Sequence, residues 1–147
     1  MIRVIIADNE QSVRDNLMIL LSAQSDIQVV GAVATAEEAV RRTIELVPDV
    51  LLMDLKYPAG QMDGVTAVRR IRQALSDDEV KILAYCISES YDTIYRAIEA
   101  GANSYVNKNE SHEEIADAIR LVASGGAASS PTIAARVLER FREASGK

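Results

Sequence analysis

Two kinds of hydrophobic pattern alternate along the chain. The first consists of short apolar runs rich in β-branched residues, with little alternation between apolar and polar positions. Near-continuous hydrophobicity of this kind is typical of strands that are covered on both faces of a parallel sheet. The five runs are RVIIA (residues 3–7), IQVVGAV (27–33), DVLLM (49–53), VKILAY (80–85) and SYVN (104–107).

The second pattern places apolar residues at helical spacing between these runs. Capping boxes at Thr35/Glu38 and Ser111/Glu114 predict two helix starts, and Gly101 predicts a left-handed helix end. The five stripes are Val13, Leu17, Leu20 and Leu21; Val40, Ile44 and Val47, ended by Pro48; Val65, Val68, Ile71 and Leu75; Ile94, Ala97 and Ile98; and Ile115, Ala118, Ile119 and Val122. Strands that alternate with helices in this way predict a doubly wound parallel α/β sheet with right-handed connections.

A stretch of small residues, ASGGAASSP (123–131), follows the fifth helical stripe. After it, Ser130 and Pro131 are typical of the first positions of a sixth helix. The apolar positions of that helix would be Ala134, Val137, Leu138 and Phe141. We therefore predict one domain over residues 1–126 and a linker with an extra C-terminal helix over 127–147. Whether this helix forms an interface or folds back on its own domain stays open.

Composition and charge narrow the class of protein. A length of 147 residues with 48% hydrophobic residues suits one globular domain. No apolar run approaches the roughly 20 residues that span a bilayer. The net charge of −6 argues against binding of nucleic acid by this chain alone. One cysteine, Cys86, excludes an internal disulfide, and one histidine, His112, leaves little for a His/Cys metal site. These observations predict an acidic cytoplasmic domain that does not associate with a membrane.

Polar side chains follow four of the five predicted strands. In open α/β sheets, ligands bind beyond the carboxyl ends of the strands, so these side chains are expected to share one edge. They are Asp8, Asn9 and Glu10 after the first strand, Asp54 after the third, Cys86 after the fourth and Lys108 after the fifth. Each has an ordinary explanation alone, such as a helix cap, a turn, a small core residue or a solvated amine. Together they suit phosphoryl transfer to a carboxylate, with Mg²⁺ bound by oxygen ligands and an amine that balances the phosphate.

Four segments make the chain similar to a known family, the receiver domain of two-component response regulators. They are VIIADNEQSVR, DVLLMDLKYP followed by DG, KILAYC, and AIEAGANSYVNKNESHEEIADAIRLVASGG. The resemblance covers essentially residues 1–126. The last segment is most similar to the NarL/FixJ (LuxR-type) branch, whose members carry a helix-turn-helix DNA-binding domain further along. SSPTIAARVLERF resembles the segment that joins the two domains, and we expect no DNA-binding domain within this chain.

The resemblance implies a flavodoxin-like (CheY-like) fold of five parallel strands in the order 2-1-3-4-5. It also implies a role for each candidate residue. Asp54 would be the phosphoacceptor, with Lys108 paired to the phosphate. Mg²⁺ would be held by Asp8, Asn9, Asp54 and the backbone carbonyl of Lys56, with Glu10 as a further ligand if its side chain turns inward. The two switch positions would be occupied by Cys86 and Tyr105.

The resemblance further implies the partners of the chain. A sensor histidine kinase would donate the phosphoryl group, and the domain would form a homodimer through its fourth helix, fifth strand and fifth helix or through the C-terminal helix. DNA would be bound only through an output domain. The expected activity is signalling rather than enzymatic, with at most autocatalytic phosphotransfer and dephosphorylation at Asp54.

Three departures from the family pattern leave two functions open. Asn9 stands where the family usually has a second acid, which removes one negative charge from the Mg²⁺ pocket. Cys86 stands where the family has Ser or Thr, and a thiol is a weaker hydrogen-bond donor than a hydroxyl. The loop from Pro58 to Asp63 is two residues longer than usual. Asp54 and Lys108 favour a phosphorylatable switch, whereas Asn9 and Cys86 favour a constitutive interaction or dimerisation module that works without phosphorylation.

Overall fold

The computed structural model describes residues 1–87 and 91–125, which form one five-stranded parallel sheet with helices on both faces. The strands lie in the order β2-β1-β3-β4-β5, so the predicted fold class and strand order are confirmed. The strands are β1 (Ile2–Ala7), β2 (Ile27–Val33), β3 (Val50–Asp54), β4 (Lys81–Cys86) and β5 (Ser104–Asn107). The helices are α1 (Gln11–Ser22), α2 (Ala36–Leu46), α3 (Gly64–Ala74), α4 (Tyr91–Ala100) and α5 (His112–Ala123).

The sheet separates two hydrophobic clusters, which explains why the strand sequences are apolar at successive positions. Ile5 of β1 belongs to the cluster under α2, α3 and α4, whereas its neighbours Val4 and Ile6 belong to the cluster under α1 and α5. All three side chains are fully buried. Successive side chains of a strand point to opposite faces, so a strand buried on both faces has no position for a polar residue until it reaches its end.

The parallel register brings the carboxyl ends of the central strands to one edge. Ala7 of β1 pairs with Met53 of β3, and Asp54 pairs with Tyr85 of β4. Cys86 in turn pairs with Asn107 of β5. Strands β3 and β4 each extend one residue beyond the predicted run, so Asp54 and Cys86 are the last residues of their strands rather than the first residues after them.

The predicted starts and ends of the helices largely agree with the structure. The backbone N–H of Glu38 donates to the Thr35 hydroxyl at 3.1 Å, and that of Glu114 donates to the Ser111 hydroxyl at 3.2 Å, which confirms both capping residues. Gly101 follows α4 with a positive φ of 124°, as its sequence position predicts. The sixth helix and the boundary at residues 126 and 127 lie outside the described residues.

The helix predicted from Val40, Ile44 and Val47 is present as α2, but its most hydrophobic stripe is not its most buried face. Ile44 is 40% exposed and Val40 is only half-buried, whereas the residues of α2 that are fully covered are Ala36, Ala39 and Thr43. These small side chains let the helix lie close to the sheet and to α3. A stripe chosen by hydrophobicity alone, which favours the larger aliphatic residues, therefore lies on the neighbouring face of the same helix.

None of the helices within residues 1–87 and 91–125 is both long enough and apolar enough to cross a membrane.

Candidate functional site

The amine of Lys108 joins two buried carboxylates at the carboxyl edge of the sheet. Its Nζ lies 2.6 Å from Oδ2 of Asp8 and 3.0 Å from Oδ2 of Asp54. Asp8 and Asp54 are 0% and 1% exposed, and the Lys108 side chain is 14% exposed. Three residues at the carboxyl ends of three different strands therefore meet at one point, as the sequence pattern predicts.

The turn between β1 and α1 fixes the first carboxylate. Oδ1 of Asp8 accepts a hydrogen bond from the backbone N–H of Glu10 at 2.9 Å, and the Arg14 guanidinium donates to the backbone carbonyl of Asp8 at 2.7 Å. Asn9 and Glu10 are exposed, and Glu10 is the N-terminal cap residue of α1 without a side-chain cap hydrogen bond. Their side chains are therefore at the rim of the site, above the buried Asp8.

The turn after β3 fixes the second carboxylate. Oδ1 of Asp54 accepts from the backbone N–H of Lys56 at 3.1 Å. The start of α3 contacts this turn, because the backbone N–H of Gly64 donates to the Leu55 carbonyl at 3.3 Å. Asp63 caps the helix by accepting from Thr66 N at 2.7 Å. A Cβ added at Gly64 would lie 2.5 Å from the Asp54 carbonyl oxygen, so only glycine allows α3 to begin this close to Asp54.

Burial and neighbouring charges shift the pKa values of Asp54 and Lys108. Burial raises the pKa of the Asp54 carboxyl above its ordinary value, although the hydrogen bonds from Lys56 N and Lys108 act in the opposite direction. Burial alone would lower the pKa of Lys108, but the hydrogen bonds and charges of Asp8 and Asp54 outweigh it and raise that pKa. Lys108 is therefore a stable cation near neutral pH.

A cavity of about 310 Å³ opens beside the two carboxylates and the amine. It is lined by Asn9, Glu10, Asp54, Lys56, Cys86, Ile87 and Lys108. The candidates from the ends of β1, β3, β4 and β5 thus contribute to one cleft. A second cavity of about 380 Å³ lies at the opposite, amino-terminal edge of the sheet, between Met1, Asp26 and Asp49, away from these residues.

The donor atoms of the cleft suit a magnesium ion. Mg²⁺ is usually bound by one or two carboxylates together with water and phosphate oxygens. Asp8 and Asp54 supply two carboxylates, and the Asn9 amide and the Lys56 carbonyl are further oxygen donors beside them. Within residues 1–87 and 91–125 no three His, Cys, Asp or Glu side chains are grouped as metal ligands, so an ion in this cleft would need the amide and carbonyl oxygens as well as the two carboxylates.

The two proposed switch residues are in contact, but through the backbone of one of them. The Tyr105 hydroxyl donates to the backbone carbonyl of Cys86 at 3.2 Å, and Tyr105 is 2% exposed. Burial raises the pKa of the Tyr105 hydroxyl well above its ordinary value, so the hydroxyl keeps its proton and acts as the donor. Cys86 is also buried and lines the cleft. Tyr105 is thus linked to the end of β4, directly beside the site.

Two residues of the site region were missed from the sequence. Arg14 looks like an exposed polar residue of α1, and nothing in its spacing predicts the contact with the Asp8 carbonyl. Tyr57 lies three residues after Asp54, and its hydroxyl is buried without a hydrogen-bond partner among the described residues. The signal available for Tyr57 was an aromatic residue directly before Pro58, in a loop where surface residues are expected.

Comparison with known proteins identifies the class that this fold and site define. The family model described as the response regulator receiver domain matches residues 4–120, and the chain belongs to that family. The chain is 42% identical over 142 residues to the transcriptional regulatory protein LiaR of Bacillus subtilis, covering 97% of this chain and 65% of that protein. It is 37% identical to the response regulator protein VraR of Staphylococcus aureus, covering 66% of that protein. The chain thus spans just under two thirds of the length of these relatives.

Solved structures support the same assignment. A two-component response regulator of the LuxR family from Aurantimonas sp. SI85-9A1 superposes with a TM-score of 0.83 at 33% identity, covering 96% of this chain and 98% of that one. The receiver domain of the putative response regulator NarL from Mycobacterium tuberculosis superposes with a TM-score of 0.77 at 25% identity, covering 84% and 97%. The resemblance to the NarL/FixJ (LuxR-type) branch is confirmed by these matches.

Proposed function

We propose that the chain is a phosphorylatable switch in which a sensor histidine kinase transfers a phosphoryl group to Asp54. The observation that carries the proposal is the placement of Lys108 between two buried carboxylates, Asp8 and Asp54. A buried arrangement of two acids and one amine is costly unless each group is paired, and such perturbed clusters concentrate at functional sites.

The chemistry follows from the role of each atom. An oxygen of the Asp54 carboxylate forms the new bond to phosphorus, and the bond between phosphorus and the donor's histidine nitrogen breaks, with its electron pair returning to that nitrogen. Lys108 then exchanges its contact with Asp54 for one with the phosphoryl oxygens. Its ion pair with Asp8 is kept and holds the amine in place. When bound, Mg²⁺ would neutralise charge on the transferred group, held by Asp8, Asp54, the Asn9 amide and the Lys56 carbonyl.

The new charge would act on the rest of the domain through the end of β4. The phosphoryl group carries about −1.5 to −2 charges at neutral pH and replaces the single negative charge of the Asp54 carboxylate. The Tyr105 hydroxyl already contacts the Cys86 carbonyl at the cleft, so a movement of this strand end reaches β5 and the adjoining α4 and α5. We place the switched homodimer contact on that surface or on the C-terminal helix, and the output in a LuxR-type DNA-binding domain. On this proposal the chain is a cytoplasmic signalling domain and not an enzyme beyond its own phosphotransfer and dephosphorylation.

A second function, a constitutive interaction module, has one observation in its favour. Lys108 already pairs with both carboxylates, and Asn9 lowers the negative charge that would attract Mg²⁺. Because Lys108 compensates the charges of both acids, the buried site is stable in the folded protein without a phosphoryl group. The variant Asn9→Asp separates the two functions, because a restored acid should lower the Mg²⁺ concentration needed for phosphorylation if the switch operates, and should have no effect on a constitutive module.

The test is phosphorylation by acetyl phosphate with Mg²⁺, followed by intact-mass spectrometry. We expect one added phosphate on the wild-type chain and none on Asp54→Asn. Asp63→Asn is a matched control, since it alters another aspartate of the same loop and asparagine keeps the ability to cap α3. Wild-type protein that gains no phosphate at millimolar Mg²⁺ would favour the constitutive module.

A further inference from the structure

The amine of Lys108 has a third contact besides its two carboxylates. It lies over the aromatic ring of Tyr85, with Nζ 5.2 Å from the ring centroid. An ammonium group within about 6 Å of a ring centroid is attracted by the negative charge on the face of the ring. Tyr85 pairs with Asp54 in the parallel sheet, so the ring is carried by the strand next to the proposed phosphoacceptor. The ring, the two acids and the amine thus form one cluster.

The ring and the cleft lie on different sides of this amine. Tyr85 is 4% exposed and belongs to the hydrophobic cluster under α1 and α5. Cys86, the next residue of β4, belongs to the cluster on the other face of the sheet and lines the cleft, whereas Tyr85 is not among the described residues that line it. A phosphoryl group on Asp54 would occupy the cleft. A Lys108 amine that moves towards the phosphoryl oxygens therefore moves away from the ring.

The strength of the ring contact consequently differs between the two states of the domain. A distance of 5.2 Å is already near the upper limit at which a ring attracts a cation, so a shift of the amine into the cleft weakens the contact. A contact can shift an equilibrium only if it is stronger in one state than in the other. The contact with Tyr85 is stronger in the unmodified state, in which Lys108 pairs with Asp54.

We propose that Tyr85 is a positioning residue whose ring retains the Lys108 ammonium beside Asp54 and thereby opposes its transfer to the phosphoryl group. This inference rests on the proposed function and adds to it a limit on how readily the phosphorylated state is populated. The ring acts through Lys108 and does not touch the phosphoryl group. Removal of the aromatic face should therefore favour the modified state, even though it also removes packing from the core.

The experiment measures the affinity of the whole chain for beryllofluoride, a mimic of the phosphoryl group, in the presence of Mg²⁺. We expect Tyr85→Leu to bind it about two- to fivefold more tightly than the wild type, because a cation–π contact of the unmodified state is lost. Tyr85→Phe keeps the aromatic face and should bind it as the wild type does. Leu83→Val is the matched control, since it reduces packing in the same strand and cluster but leaves the ring in place. It should lower the melting temperature and leave the affinity unchanged.

A second measurement follows the position of the amine by NMR. Protons over the face of an aromatic ring are shifted upfield. The ε-methylene signal of Lys108, identified by its absence in Lys108→Met, should therefore lie upfield in the wild type and in Tyr85→Phe but not in Tyr85→Leu. In the wild type this signal should move downfield when beryllofluoride binds, because the amine leaves the ring.

Three results would overturn the inference and leave the proposed function intact. The first is a Tyr85→Leu protein that binds beryllofluoride no more tightly than the wild type. The second is a Lys108 signal that does not move when beryllofluoride binds to the wild type. The third is an equal gain of affinity in Leu83→Val, which would assign the effect to packing. Wild-type protein that binds no beryllofluoride would instead refute the proposed function, and the inference with it.

Discussion

Replacing Lys108 by methionine should destabilise the protein in a manner that depends on pH. Methionine keeps most of the volume of the side chain but removes the positive charge that pairs with both Asp8 and Asp54. Both carboxylates are essentially fully buried. Removal of one partner from a buried charge pair typically costs about 3–5 kcal/mol, because the remaining charge is left without compensation.

Protonation of one carboxylate limits this loss at low pH. Each unit by which a carboxyl pKa is raised on folding is about 1.4 kcal/mol. The unfolded chain has an ordinary aspartate pKa of about 3.9, so the loss in the variant should begin near pH 4 and grow as the pH rises. It should be about 1.5 kcal/mol at pH 5 and reach its plateau of about 3–5 kcal/mol between roughly pH 6 and 8. The raised pKa of Lys108 stabilises the wild type fully below about pH 10.4, so the Lys108 contribution is constant over this range. The pKa of Asp54 is already raised in the wild type, so the loss is measured as the difference between variant and wild type at each pH.

The assay is urea unfolding of wild type and Lys108→Met at several pH values between 5 and 8. The control is Lys81→Met, because Lys81 also lies 3.0 Å from an aspartate, but that partner, Asp77, is 60% exposed. A solvent-exposed pair of this kind contributes less than about 1 kcal/mol, and its removal should show no comparable pH dependence. A loss in Lys108→Met that is below 1 kcal/mol at pH 7.5, or that is the same at pH 5, would refute the reasoning.

Two further substitutions test the surroundings of the site. Gly64→Ala should reduce the free energy of unfolding by more than about 1 kcal/mol and slow phosphorylation, because its Cβ would lie 2.5 Å from the Asp54 backbone. Gly31→Ala is the control, because its Cβ would lie 3.6 Å from Ile5. Urea unfolding should show a loss of stability only in Gly64→Ala. Cys86→Thr introduces a stronger donor at the cleft and should strengthen the coupling between phosphorylation and dimer formation. Sedimentation velocity measures that coupling, and an unchanged profile of the phosphorylated variant would contradict the expectation.

The fold could be predicted because its determinants are local and repetitive. Strands that are buried on both faces have no room for polar residues, so their runs are visible in the sequence, and capping residues such as Thr35 and Ser111 mark the helix starts. The meeting of Asp8, Asp54 and Lys108 followed from topology, since the ends of parallel strands share an edge. The distances between these three side chains depend on the register of the strands. That register is a property of the whole sheet and is not visible in the local sequence.

What could not be predicted depends on packing between elements that are distant in sequence. The buried face of α2 is set by how closely the helix can approach the sheet, which selects Ala39 and Thr43 over Ile44. Arg72 is another example, because its guanidinium donates to the carbonyls of Gly101, Ser76 and Val80. Nothing in the local sequence distinguishes it from the other arginines of α3. The unpaired Tyr57 hydroxyl is a further case, since burial of one atom is a result of tertiary structure.

The order in which the parts of the site are synthesised has a consequence for the cell. Lys108 is separated from Asp8 by 100 residues and from Asp54 by 54 residues, and it follows the last strand of the sheet. A nascent polypeptide that has left the ribosome only as far as β4 carries both acids but not their counter-ion. On the proposed function, the domain therefore cannot accept a phosphoryl group until its final strand has been translated and has joined the sheet.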